Sequence, residues 1–93
     1  MNRLFVYGTL KRGQRNDFMM KGYKYLGPHT ISDYVMVDLG PYPAAVPSEG
    51  RCIVGELYEV DDFRELDAFE TSLYQRVQTC GVWVYTLKTL EVW

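Results

Sequence analysis

Histidine and cysteine are scarce in this sequence. There is one His, His29, directly after Pro28, and two Cys, Cys52 and Cys80, far apart and in no CxxC pair. A structural zinc site needs about four clustered ligands, so no metal site is expected. His29 reads as a turn residue. The isolated cysteines read as buried small hydrophobes in a reducing, cytoplasmic compartment, with a disulfide as the other reading. Long apolar runs are missing too. Leu4-Phe5-Val6-Tyr7 ends at Gly8, too soon for a signal-peptide core, and no run approaches the ~20 residues that cross a bilayer; no membrane association is expected. A basic excess is also absent: 10 Lys+Arg stand against 12 Asp+Glu, a net charge of −2, which weighs against a nucleic-acid partner. Repeats, low-complexity tracts and linkers are lacking.

What is present describes a small folded domain. A chain of 93 residues with 47% hydrophobic and 24% charged residues has room for one core and enough apolar surface to fill it, so residues 1–93 read as a single domain. Aromatics reach 15%, led by eight Tyr; tyrosine, with an apolar body and a polar tip, suits half-buried strands and pocket walls. Leu4-Phe5-Val6-Tyr7 reads as a buried first strand. Residues 17–21 form a short helical candidate closed by Gly22. Strands are expected over 23–26, 30–37, 53–60, 76–82 and 82–93. Gly40-Pro41-Tyr42-Pro43 reads as a rigid loop, because its prolines lack donors and fix φ. Asp62 with Glu65 has the shape of a capping box, which predicts a helix running to Phe69 or Glu70. Short strands with two short helices predict an α+β fold, its mixed sheet curled into a small β-barrel with flanking helices. Trp83, Tyr85 and Trp93 suit either the core or a subunit contact.

That second helix carries a carboxylate on its apolar side. At about 100° per residue, with Phe63 at zero, Leu66 falls near −60°, Phe69 near −120° and Glu70 near −20°. Glu70 thus shares the arc that the three apolar residues bury, while Arg64 and Glu65 point elsewhere. A carboxylate on such a face is desolvated, and its pKa rises toward the range a general acid or base needs at neutral pH. The plainer reading is that Glu70 frays outward at the helix end or pairs with Arg76.

A second signal is Tyr7-Gly8-Thr9-Leu10, a strand running into glycine and a small hydroxyl residue. Glycine lets a ligand approach the backbone closely, and successive N–H groups in such a turn can cradle an anion such as a carboxylate. Lys11 and Arg12 would favour negative charge there, or with Arg15 form a solvated basic face. The plainer reading is an ordinary turn. Tyr42, between two prolines, either lines a pocket or plugs the barrel mouth.

Five segments in order, Val6-Tyr7-Gly8-Thr9-Leu10-Lys11-Arg12-Gly13-Gln14, Gly40-Pro41-Tyr42-Pro43, Gly55-Glu56-Leu57-Tyr58-Glu59-Val60, Leu66-Asp67-Ala68-Phe69-Glu70 and Tyr74-Gln75-Arg76, resemble the gamma-glutamylcyclotransferase family, most nearly its gamma-glutamylaminecyclotransferase branch. The resemblance spans nearly the whole chain. It implies a pocket at the barrel mouth, no cofactor, and release of 5-oxoproline and a free amine from a small γ-glutamyl substrate. It further implies that Tyr7, Gly8, Thr9 and Leu10 hold the glutamyl part through backbone donors, that Glu70 is the acid/base, and that Tyr42 and Tyr74 stand near the pocket. Asn16-Asp17 and the short step from Glu70 to Tyr74 depart from that branch and bear on the leaving group. The competing reading is a module of the same fold that binds a small anion without turning it over.

Overall fold

Leu4, Phe5 and Val6 are all buried because strand β1 (Asn2–Val6) has a neighbour on each edge and a core on each face. The structure, a computed structural model, describes residues 2–8, 10–14, 17–38, 43–69 and 74–87. The other strands are β2 (Lys24–Asp38), β3 (Pro43–Val60), β4 (Tyr74–Thr79) and β5 (Val82–Leu87). β1 runs antiparallel to β3, from Asn2↔Val60 to Val6↔Glu56, and parallel to β5 through Leu4↔Trp83 and Phe5↔Val84. The five-stranded sheet has the order β2-β3-β1-β5-β4. Where β1 ends, the first part of β3 lies directly beside β5, at Ala45↔Thr86.

Alternation along β1 divides the interior into two cores. Phe5 and Tyr7 face a cluster with Ile31, Ile53, Leu57 and Val84. Leu4 and Val6 face the opposite cluster, with Tyr58, Val60 and Tyr85 from the sheet, Met20 and Leu66 from the helices above it, and Phe63 from the residue just before the second helix. Those helices are a 3₁₀ turn (Asp17–Met20) and α1 (Arg64–Phe69). Gly22, at φ 96°, ends the first as expected. At α1 the Asp62 carboxylate caps the helix by accepting from the Arg64 N–H at 2.9 Å. Phe63 and Leu66 are buried and Arg64 and Glu65 exposed, as the helical spacing predicts.

The expected closed barrel is not formed. The sheet is mixed and curled, but open, with β2 and β4 as its edges. The β4–β5 turn meets β2 through the Cys80 thiol: its sulfur lies 3.7 Å from both the hydroxyl and the backbone carbonyl oxygen of Ser32. Among the described residues no backbone ladder joins the two edges.

Strand boundaries also differ from expectation. β2 runs unbroken through Pro28, which an edge strand tolerates because one side of its backbone needs no ladder partner; Gly27, at φ 113°, takes up the register shift beside it. Pro43, Pro47 and Gly50 hide the first half of β3 from any alternation pattern. There, residues 48–51 bulge opposite Asp33, which adopts φ 65° and accepts from the Gly50 N–H at 3.1 Å. β4 and β5 join through Cys80 and Gly81, at φ 52° and 77°, between the paired Thr79 and Val82. Two left-handed residues make the tight hairpin turn whose twist matches the strands, so the break falls at 80–81 rather than at Val82.

Both cysteines are exposed, not buried as expected. Cys80 sits in that turn, and Cys52 lies on the outward side of β3 opposite Ser32. Iodoacetamide should therefore alkylate both thiols in the native protein; protection of either, read by mass spectrometry without denaturant, would contradict the structure. No helix among the described residues is long and apolar enough to cross a membrane. Tyr85 belongs to the core and Trp83 packs against it.

Candidate active site

The end of β1 delivers Tyr7 into the seam between β3 and β5. Its hydroxyl donates to the Tyr85 carbonyl at 2.5 Å and accepts from the Ala45 N–H at 2.9 Å. Tyr7 is 7% exposed, so its side chain is a strut that ties three strands together, and what it offers a ligand is backbone. Tyr7→Phe should cost about 1–3 kcal/mol, because two buried backbone groups lose a partner. A denaturant midpoint equal to wild type would show that the strut is dispensable.

Gly8 follows, packed against Pro43. A Cβ at this position would stand 2.8 Å from the Pro43 Cγ, so close approach of the ring is what requires glycine here. The chain then turns: the Lys11 N–H donates to the Gly8 carbonyl at 3.1 Å, and the Gln14 N–H to the Lys11 carbonyl at 3.0 Å. Glu56 anchors the turn from β3 by accepting from the Arg12 N–H at 2.8 Å. The Leu10 side chain points into the helix-covered core, so it too can meet a ligand only through its main chain. Of the two basic residues that follow it, Lys11 and Arg12, the second is engaged: the Arg12 guanidinium lies 4.5 Å from the centre of the Tyr25 ring.

Tyr74 opens β4. It is half-buried, packs on the core of α1, and donates its hydroxyl to the Pro43 carbonyl at 2.7 Å. Pro43 is therefore a meeting point, with Gly8 against its ring and Tyr74 on its oxygen. The turn after β1, the start of β3 and the start of β4 converge there, although they are far apart in sequence. Thr9, Tyr42 and Glu70 lie outside the described residues. In sequence each is next to a described part of this region: Thr9 to Gly8, Tyr42 to Pro43, and Glu70 to the end of α1.

Sequence reasoning missed the cluster that holds α1. Arg76, the partner considered for Glu70, pairs with Asp67: its Nε donates to Oδ1 at 2.9 Å and its Nη2 to Oδ2 at 3.1 Å. The Tyr85 hydroxyl donates to the same Oδ1 at 2.6 Å. The guanidinium also lies over the Phe63 ring at 4.0 Å and the Trp83 ring at 4.6 Å. The hydrogen bonds from Arg76, helped by that from Tyr85, hold the Asp67 carboxyl below its ordinary range against the opposing effect of burial. Asp67 stands inside one of the family-like segments, but its partner comes from another strand, and no local pattern reveals such a pair. A hollow of about 250 Å³ lined by Asn2, Arg3, Gln78, Gly81 and Trp83 opens at the other end of β1.

Residues 4–92 match the profile of a family described as Gamma-glutamyl cyclotransferase, AIG2-like. The chain belongs to the gamma-glutamylcyclotransferase family. Among its relatives is the Gamma-glutamylcyclotransferase family protein YtfP of Escherichia coli, 42% identical over 71 residues that cover 74% of this chain and 62% of that one. The Gamma-glutamylaminecyclotransferase of Mus musculus is 40% identical over 90 residues, covering 82% of this chain and 60% of the relative. The chain thus spans about three fifths of the length of these family members. The crystal structure of an AIG2-like protein from Mus musculus superposes with a TM-score of 0.74 at 33% identity, over 98% of this chain and 80% of that one. The small mixed-sheet α+β fold matches that of this relative.

Proposed function

We propose that this gamma-glutamylcyclotransferase-family chain converts a small γ-glutamyl amine into 5-oxoproline and the free amine, without a cofactor. The observation that carries the reading is the convergence of Gly8 and Tyr74 on Pro43, which gathers three of the family-like segments into one place. The branch preference follows the name of the mouse relative and extends to this chain as a proposal.

In the proposed reaction the substrate's own α-nitrogen attacks its γ-carbonyl carbon. A ring C–N bond forms, the carbonyl electrons move to oxygen, and the tetrahedral intermediate collapses by breaking the bond to the leaving amine. Because the attack is intramolecular, holding the glutamyl chain folded supplies much of the acceleration; effective molarities of about 10⁵ M or more are reached in well-oriented cases. No protein nucleophile is needed. At neutral pH the α-amine carries an extra proton, which must leave before attack. Glu70 takes that proton and passes it to the departing nitrogen; the second proton, which the ring nitrogen gives up as the lactam forms, follows through the same carboxylate, so the amine leaves as an ammonium ion. Backbone N–H groups of Gly8, Thr9 and Leu10 bind the α-carboxylate and steady the charge that develops on the γ-oxygen. Tyr42 and Tyr74 wall the pocket.

Incubation with a panel of γ-glutamyl amines, scored for 5-oxoproline, tests the reading. The expected result is ring formation stoichiometric with amine release. Saturable binding of the panel with no 5-oxoproline would point to the non-catalytic anion-binding module.

A further inference from the structure

The Asp67 cluster is more elaborate than packing requires. One carboxylate on α1 accepts from Arg76 on β4 and from Tyr85 on β5, and those two residues are themselves cross-strand partners. Exposed ion pairs contribute little, but this one is bidentate, its arginine side chain is only 25% exposed, and two aromatic rings hold the guanidinium. It is the kind of pair that sets geometry.

α1 needs such a device. It has six residues, far below the length at which a helix holds itself, and Phe63 and Leu66 anchor it by apolar contact, which is non-directional. A helix held that way can roll about its axis. A roll of about 20° moves a side-chain tip some ~6 Å from the axis by about 2 Å. Displacement of a catalytic group by about 1 Å can cost on the order of 10²-fold in rate.

We infer that Asp67 is a positioning residue: through Arg76 and Tyr85 it fixes the roll of α1 and thereby aims the carboxylate of Glu70, the residue that follows the helix in sequence. This inference rests on Glu70 being the acid/base of the proposed reaction.

Asp67→Asn keeps the shape and removes the charge. At a temperature where circular dichroism shows the variant fully folded, kcat should fall about tenfold while KM stays within about twofold of wild type. In a Glu70→Gln background the same substitution should leave the residual rate unchanged, because the group it aims is gone. Tyr85→Phe, which removes the hydrogen bond to Asp67 and spares the ion pair, should lower kcat in the same direction by a smaller factor. Wild-type kcat in folded Asp67→Asn would overturn the inference, as would an equal loss in both backgrounds or an unaffected Tyr85→Phe. Full turnover by Glu70→Gln alone overturns the functional reading beneath it instead, so the two failures are told apart.

Discussion

Glu70→Gln is expected to retain the fold and substrate binding while turnover drops by roughly 10²-fold or more. The amide matches the carboxylate in size and still accepts a hydrogen bond, but it cannot take a proton from an ammonium group. The glutamyl part would still be held by the backbone of residues 8–10, so KM should change little while kcat carries the loss. The residual rate should be that of a bound, correctly folded substrate waiting for solvent to remove its proton, and it should rise with pH as the free-amine fraction grows. Initial rates of 5-oxoproline formation across a pH series, with thermal unfolding as a control, check this. Undiminished kcat would remove Glu70 from the mechanism.

The largest effect on stability is expected at Gly55. This residue lies in β3 between the buried Ile53 and Leu57 and faces the same core. A Cβ there would stand 2.7 Å from Phe5 Cζ and would also run into the Val6 carbonyl oxygen. The ring cannot step aside, since Phe5 is buried to within 1% and is hemmed by Tyr7 and His29 at 6.2 and 6.0 Å between centroids. The Val6 carbonyl belongs to the strand that leads into the Tyr7 turn. Gly55→Ala should therefore cost about 3 kcal/mol, the upper end for overpacking a filled core, and should disturb the site through β1. Urea unfolding gives the number. A loss below about 0.5 kcal/mol, the range of innocuous surface changes, would mean that the Phe5–Gly55 contact is looser than described.

Much of this architecture is legible residue by residue. Leu4-Phe5-Val6-Tyr7 reads as a buried strand because nothing polar interrupts it, and that is the signature of a strand covered on both faces. The α1 face reads correctly because Phe63 and Leu66 stand at helical spacing after a capping aspartate. The rest depends on partners that are remote in sequence. Pro28 and Gly27 look like a break, yet an edge position and a bulge let β2 continue through them. Residues 43–52 carry two prolines and a glycine, and only pairing with β2 makes them a strand. The cysteines look like core because cysteine usually is, while one fills a left-handed turn and the other an outward position beside it. Barrel closure is expected from the number of strands, but the β4–β5 turn reaches β2 through a thiol and a serine and makes no ladder.

The site shows the same division. The Tyr7-Gly8 turn is visible in sequence because glycine before a small hydroxyl residue is a local pattern. That Gly8 needs the Pro43 ring as its neighbour, and that Tyr74 caps the same proline, follows from topology. Asp67 escapes sequence reading altogether, since an aspartate beside an apolar helix face looks solvated until Arg76 and Tyr85 are brought to it.

A crystal structure with 5-oxoproline bound tests the central claim most directly. The account predicts the product's carboxylate on the backbone N–H groups of residues 8–10, beside Pro43 and Tyr74, with a Glu70 oxygen about 3 Å from the ring nitrogen. Product bound elsewhere, or a Glu70 side chain turned to solvent with the product in place, would contradict it.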